Sequence, residues 1–420
     1  MILTDTRGEA PPRTLRPLAA VLSSLAVALT ATRVSAVALP WFVLVTTGSP
    51  TRTGLVAFCE MAPYVLVKAL TGPLVDRAGP RAVCWTADTL SAAAAGLIPL
   101  CHSLGLLRFG LLLPLVAVIG AVRGPGDLAR DVMVPEAAER GRVPLERATG
   151  LAGVIEQLAA TAGPAAGGAL VAGVGPLPAL AANAACFALG SLLIVVLPPR
   201  GTGRAVAAAP AEPGYWRRLG EGFAFLRGDP LLLTITLVVG AGNFLQAGFS
   251  QVLIPVWAHD SGAGPAAAGL LNALFGAAAA GAALLAAAVA HRLRRRPVFF
   301  AGYLLAEAPR FLVLALDAPL WAAAAVFAVG GCGSGFLNPI LGAVSFERVP
   351  RGMLGRVRAL SGALAWAGIP FGGLAAGAAV ATAGLGATLT GAGLAHGTLV
   401  GVGGLRKEWA QMERGRRPAR

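Results

Sequence analysis

Apolar runs of about twenty residues, parted by short polar connections, repeat along this chain almost from end to end. A hydrocarbon core about 30 Å thick takes roughly 20 helical residues to cross, because each residue advances a helix by about 1.5 Å. On that measure the runs predict twelve crossings, over 17–46, 53–75, 82–104, 109–132, 147–172, 176–198, 230–257, 264–290, 297–317, 320–345, 355–381 and 384–404. Some links are only a few residues, as at Gly173, Gly175 and Pro176 or at Ala383 and Gly384, and force neighbouring helices into antiparallel hairpins. The longest polar stretch, Pro199 to Asp229, has a Pro- and Ala-rich part from Ala205 to Pro213 and an amphipathic run from Trp216 to Leu226. The expected organisation is a six-helix half over 1–198, a linker over 199–229, a second six-helix half over 230–405 and a basic tail over 406–420.

Charge turns this count into a topology. The basic residues occupy every second connection: Arg7, Arg13 and Arg16; Arg77 and Arg81; Arg130, Arg140, Arg142 and Arg147; then the linker with Arg200, Arg204, Arg217, Arg218 and Arg227. The series continues through Arg292 and Arg294 to Arg296, Arg348 to Arg358, and Arg406 to Arg420, whereas the intervening loops hold only Arg52 and Arg108. Positive loops are retained on the cytoplasmic side, so the alternation predicts an even number of crossings in the cytoplasmic membrane with both termini inside. Composition agrees: 56% of the 420 residues are hydrophobic and 13% charged, about half the charged share of a soluble domain. The net charge of +14 is spread over separate inside segments without base-stacking aromatics, which reads as topology and lipid contact and excludes nucleic acid as a partner. Five cysteines in or beside apolar runs, and four scattered histidines, predict no disulfide framework, metal site or cofactor.

The halves echo one another. Gly163, Pro164, Gly167 and Gly168 in helix 5 answer Gly368, Pro370, Gly372 and Gly373 in helix 11, and such small residues let helix backbones approach closely. Val134, Pro135, Gly141, Arg142 and Val143 recur as Val349, Pro350, Gly355, Arg356 and Val357. The segment Gly72-Pro73-Leu74-Val75-Asp76-Arg77-Ala78-Gly79-Pro80-Arg81 follows the pattern glycine, any, leucine, any, aspartate, basic, any, glycine, basic, basic, from which only Pro80 departs. At these residues the chain resembles a major facilitator superfamily transporter, in the twelve-helix exporter branch of macrolide and siderophore efflux proteins. The stretches Ala36 to Trp41 and Leu219 to Phe223 resemble the same branch.

A carboxylate at the inner end of helix 2 is suited to accept from exposed N–H groups at another helix's start. The resemblance implies that Asp76 latches onto the start of helix 11, near Arg358, and that Arg77 or Arg81 pairs with Asp127 or Asp131 to hold the outward-facing state. Gly72 and Gly79 permit the tight backbone; a solvated turn is the simpler alternative. The glycine-proline run of helix 5 is similar to the superfamily's antiporter signature, with Ala159 in place of its first glycine.

Ionisable residues within the apolar spans are expensive and each is a candidate for function. Glu307 and Arg310, three apart on one helix, are expected to neutralise each other. Lys68 is expected to snorkel to the inner interface and Asp88 to pair near it. The family's arrangement, with helices 1, 4, 7 and 10 lining the cavity and 2, 5, 8 and 11 forming gates, leaves Arg33, Glu60 and Glu156 for coupling or substrate contact; a structural ion pair is the alternative for each. Trp41, Asn243, Phe244, Gln246, Phe249, Gln251 and Asn338 are candidates for a pocket taking a bulky amphipathic small molecule.

Gly124-Pro125-Gly126-Asp127 and Pro178-Ala179-Leu180 match elements of intramembrane aspartyl proteases, but no tyrosine precedes an aspartate as that chemistry requires, and no phosphate-binding loop is present. The expectation is an all-helical, monomeric transporter, not an enzyme, that exports a drug or secondary metabolite by alternating access with protons as coupling ion. An importer or facilitator of the same fold is the alternative, and the protease a remote one.

Overall fold

A computed structural model of the chain describes residues 15–197, 215–289, 293–350 and 353–413, and its described residues contain helices and no strands. The first part of the linker and residues 414–420 of the basic tail lie outside them. In the first half the helices are α1 (Arg16–Thr47), α2 (Pro50–Leu70), α3 (Gly72–Ala78), α4 (Pro80–Ser103), α5 (Phe109–Gly141), α6 (Leu145–Val174) and α7 (Pro176–Val196). The second half has α8 (Tyr215–Gly228), α9 (Pro230–Gly248), α10 (Ile254–Asp260), α11 (Gly264–Val289), α12 (Arg295–Ala315) and α13 (Leu320–Gly335), then α14 (Leu337–Arg348), α15 (Leu354–Trp366), α16 (Ile369–Ala383) and α17 (Leu385–Gly404).

Each predicted crossing coincides with one helix or two consecutive ones. Among the described residues, ten helical stretches are long and apolar enough to cross a membrane. The crossings predicted over α2 and α6 are not in that set; these helices take their places in the bundle by packing, α2 against α5 and α16, α6 against α1 and α11. Three of the short turns stop a helix with glycine. Gly48, Gly175 and Gly384 have φ of 61°, 89° and 83°, a left-handed backbone open to glycine at little cost, and a new helix starts within two residues. At the first of these turns Ser49 accepts from the Arg52 N–H and Pro50 supplies an already fixed φ.

The structure corrects several boundaries. The second predicted crossing stops at Leu70, and Gly72-Pro73 starts the separate α3 beneath it. The fourth runs on to Gly141, nine residues or about 13 Å past its predicted end. In the second half three crossings are interrupted: a π-helical turn, Phe249–Leu253, separates α9 from α10, Phe336 separates α13 from α14, and Ala367-Gly368 separates α15 from α16. The amphipathic α8 lies along α9 and α15 and buries Leu226 in the core they share with α12.

The two halves meet along two crossings, α6 with α11 and α2 with α16. Glycine makes both possible. A Cβ on Gly377 would fall 2.5 Å from the Pro50 carbonyl oxygen, and one on Gly276 would fall 3.1 Å from the Thr161 Cα. Gly168 faces Pro265 and Gly269 of α11, Gly269 faces Pro164, and Gly373 faces Gly54, Ala57 and Gln251. In a bilayer, where lipid is as apolar as leucine, close backbone contact of this kind replaces hydrophobic burial as the glue between helices. All these contacts lie in the half of the bundle next to the short turns. Toward the opposite end, which carries the arginine-rich connections, contact between the halves is sparser, as where α15 approaches α2.

Candidate functional site

Toward the arginine-rich end α1, α2, α5 and α6 of the first half line a cavity of about 590 Å³, which Trp366 and Ile369 of the second half border on one side. It runs from Arg33 and Met61, near the middles of α1 and α2, to Asp131, Pro135 and Thr149 near the arginine-rich end. Charged side chains line it to a degree unusual within a membrane span: Arg33, Lys68, Arg123, Asp127, Asp131 and Glu156, with Tyr64 and Trp366 among them.

At its deep wall the Arg123 guanidinium donates to Glu60 Oε1 at 2.8 Å and lies over the Tyr64 ring, 4.5 Å from the centroid. Glu60 is 8% exposed, Arg123 9%. The pair needs α2 and α5 close together, and Gly120, one turn from Arg123 on α5, provides that by packing directly on the Glu60 carbonyl. Tyr64 donates to Asp127 Oδ2 (3.2 Å) and accepts from Lys68 Nζ (3.0 Å), whose ammonium also lies over the Trp366 ring, 5.3 Å from its centroid. Lys68 therefore turns back toward mid-membrane, against the snorkelling expected of it, because a phenol, a carboxylate and an indole face offer it more than the lipid boundary.

Arg33 lines the same cavity, and its Nε is buried without a hydrogen-bond partner. Its stem lies across Gly163 of α6: a Cβ there would fall 2.5 Å from the Arg33 Cβ and 2.7 Å from its Cγ. Gly167 packs on Val34 one turn along. The glycines of α6 thus serve two neighbours, α11 through Gly168 and Arg33 through Gly163.

A second network stands behind the cavity wall. Arg130, 2% exposed, pairs with Asp88 of α4, bonds Asp127 at 3.4 Å and directs Nε at the Ser24 hydroxyl of α1, 3.5 Å away. Removing one partner of a buried ion pair leaves the other charge stranded and costs roughly 3–5 kcal/mol. Asp88→Ala should therefore lower the thermal unfolding midpoint in detergent far more than Asp127→Ala, whose carboxylate is partly exposed and meets Arg130 at longer range. Equal midpoints for the two variants would refute this ranking.

The remaining expected site residues fall in other places. Asp127 is held by Tyr64 and Arg130 rather than by Arg77 or Arg81; the described partners of Arg81 are the carbonyls of Ile194 and Val195 on α7, at 3.2 and 2.8 Å. Arg77 is exposed near the end of α3, Gly79 caps that helix, and Arg358 is exposed on α15. Gly72 and Asp76 are described in backbone only, so the side chain of Asp76 lies outside the described residues.

The seven cavity candidates do not line this cavity. Asn243 donates to the Ala365 carbonyl (3.0 Å), Phe244 packs on Gly368 and Gly372, and Trp41 meets the edge of His259. Asn338 is exposed, while Gln251 keeps a buried oxygen beside Gly373. Gln246 and Phe249 are drawn to Arg310, which is 0% exposed, donates to Glu307 (2.5 Å) and Gln246 (3.0 Å), and lies among the rings of Phe249, Phe275 and Phe327. A fully buried guanidinium recruits every amide and ring within reach. Sequence reasoning counted Arg123 among the ionisable residues of the spans but passed over Tyr64 and Trp366; a tyrosine one turn from Glu60 and Lys68 on α2 was the signal that pointed to Tyr64.

Comparison with known proteins places this geometry. The family of transmembrane secretion effectors, a branch of the major facilitator superfamily, matches residues 17–413. The chain belongs to that family. The multidrug efflux pump Tap of Mycobacterium tuberculosis is 32% identical over 333 residues, 77% of this chain and 77% of the relative. Tap of Mycolicibacterium fortuitum is 30% identical over 351 residues, 81% and 83% of the two chains. The crystal structure of the nucleoside transporter NupG superposes with a TM-score of 0.70 over 95% of this chain and 99% of that one, at 15% identity, a likeness of fold. This member of the secretion effector family is thus a multi-pass membrane transporter of small molecules and not an enzyme.

Proposed function

We infer that the protein exports small organic molecules across the cell membrane by alternating access, with inward proton flow as the driving force. The observation that carries this reading is the cavity that ends at mid-membrane against a buried Glu60–Arg123 pair. A guanidinium keeps its proton, so the carboxylate is the member able to change charge. Proton uptake by Glu60 would release Arg123 toward the cavity and so tie substrate binding to the pair. The relatives at 30% and 32% identity are multidrug efflux pumps, which supports outward movement of drug-like molecules. The mixed charges of the wall, Arg33 and Lys68 with Asp131 and Glu156, suit amphipathic molecules carrying either sign. With the arginine-rich end and both termini on the cytoplasmic side, the cavity belongs to an inward-facing monomer that takes substrate from the cell. Inside-out vesicles test the reading: a lipophilic cationic dye should accumulate when the lumen is acidified, and accumulation indifferent to the pH gradient would refute proton antiport.

The latch fits the same cycle. On closure of the cytoplasmic end Asp76 would engage the start of α15. Asp76→Asn should slow transport by about tenfold, the scale of losing one charge at a helix start and the switch it biases, with membrane insertion intact. Rates in matched proteoliposomes decide it; an unchanged rate would count against the latch.

A further inference from the structure

We propose that the groove between α12 and α17 at the arginine-rich end is a binding site for an anionic phospholipid. This groove is separate from the transport cavity and belongs to the outer face of the second half, with a volume of about 860 Å³. Its walls change character with depth. Arg294 and Arg296 stand at the mouth, and Phe300, Leu304, Gly397 and Gly401 line the part that runs into the membrane.

The glycines point to an acyl chain. A Cβ on Gly397 or Gly401 would meet nothing within 4 Å, so neither glycine serves helix packing, unlike Gly377 or Gly276. Glycine is the weakest helix former after proline, and two of them four residues apart on one face of α17 hollow out that face. From Pro297 to Leu304 the groove follows α12 for about 10 Å, enough for the upper part of an acyl chain.

The mouth supplies the headgroup chemistry. The three arginines that open α12 diverge: Arg295 turns inward to Glu347, at 2.5 and 2.6 Å, while Arg294 and Arg296 stay on the groove side. Arg294 is exposed, and its side chain makes no hydrogen bond or ion pair among the described residues. Arg296 is steadied by one bond from Nη2 to the Gly404 carbonyl, 2.9 Å, which leaves its other N–H groups for a ligand. Among the described residues the rim also holds one carboxylate, Glu413, which accepts from the backbone N–H of Arg296 at 3.3 Å and leaves these groups with one net positive charge. The floor behind the mouth is rigid. Trp409 is fully buried, donates to the Gly403 carbonyl at 2.7 Å and stacks on Phe299. A cationic rim above an apolar slot matches a lipid with an anionic phosphate headgroup, and the basic end lies at the headgroup level of its leaflet.

The test is lipid retention by the full-length protein in mild detergent, read by native mass spectrometry with phosphatidylglycerol and phosphatidylcholine of matched chains. Phosphatidylglycerol should be retained about fivefold over phosphatidylcholine, the scale of one basic residue at a membrane surface. Arg294→Gln should erase that preference, and Gly401→Leu, which fills the slot, should reduce retention of both lipids by several-fold. Gly391→Leu is the control, because it lies nearer the other end of α17 and also has open space around it. Equal retention of the two lipids by the parent protein, or unchanged retention in Gly401→Leu, would overturn the proposal. So would displacement of the lipid by millimolar inorganic phosphate, which would make the mouth an anion site without need of the slot.

Discussion

Glu60→Gln is expected to reduce proton-driven accumulation of substrate by at least about 100-fold while sparing exchange of substrate down its own gradient. The amide keeps the size of the side chain and some hydrogen bonding to Arg123, so the fold should survive. It removes the negative charge and with it the ability to take up and release a proton. Loss of one partner's charge in a buried pair is worth roughly 3–5 kcal/mol, which corresponds to a factor of 100 or more in the balance between two states that differ in how that pair is hydrated. Flux in vesicles with and without an imposed pH gradient separates the two components. If the variant retained its full gradient-dependent component, Glu60 would be a structural partner of Arg123, and Glu156→Gln on the cavity wall would be the next variant to measure.

The seam between α6 and α11 should respond as sharply. A Cβ at Gly269 would fall 3.2 Å from the Ala165 and Gly168 Cα atoms and nearer still to the Pro164 carbonyl, so Gly269→Leu cannot form this contact without spreading the helices. The short-turn end would then fail to close, and transport should drop by more than tenfold, since a two-state cycle deprived of one state stops. The accompanying sign is accessibility. A cysteine at Met61, in a protein otherwise free of cysteine, should become reactive to an impermeant thiol reagent from the short-turn side in Gly269→Leu but not in its parent. Parental transport, or a Met61→Cys that stays unreactive, would mean the seam is not a gate.

Most of the fold was legible because the bilayer imposes one length on every crossing and the arginines mark alternate ends. What the apolar runs conceal is interruption within a crossing. The π turn at Phe249–Leu253 adds one residue to a helical turn with neither glycine nor proline inside it to announce it, and the break at Phe336 falls on an aromatic residue. At the cavity, pairing within one helix could be foreseen, as for Glu307 and Arg310, because positions three apart share a face. Pairing between helices could not. Glu60 and Arg123 are 63 residues apart, and their meeting depends on how α2 and α5 are rotated about their axes, which spacing alone leaves free. The same freedom misdirected Asn243 and Gln246 of α9 and Phe249 of the π turn: they were turned toward α12, α13 and α15 by neighbours that periodicity does not reveal, above all Arg310.

The interrupted crossings make the two halves mechanically unlike. In the first half α1, α5 and α6 each run 30 to 33 residues without a break, and the network around Arg130 ties α1, α4 and α5 together. In the second half the crossings that flank the centre are jointed near their middles, at Phe249–Leu253, Phe336 and Gly368. A load shared between a stiff block and a jointed one is taken up at the joints. The first half would then keep the spacing of its charges through the whole cycle, like the fixed jaw of a vice, while the second half bends to open and close the path beside it.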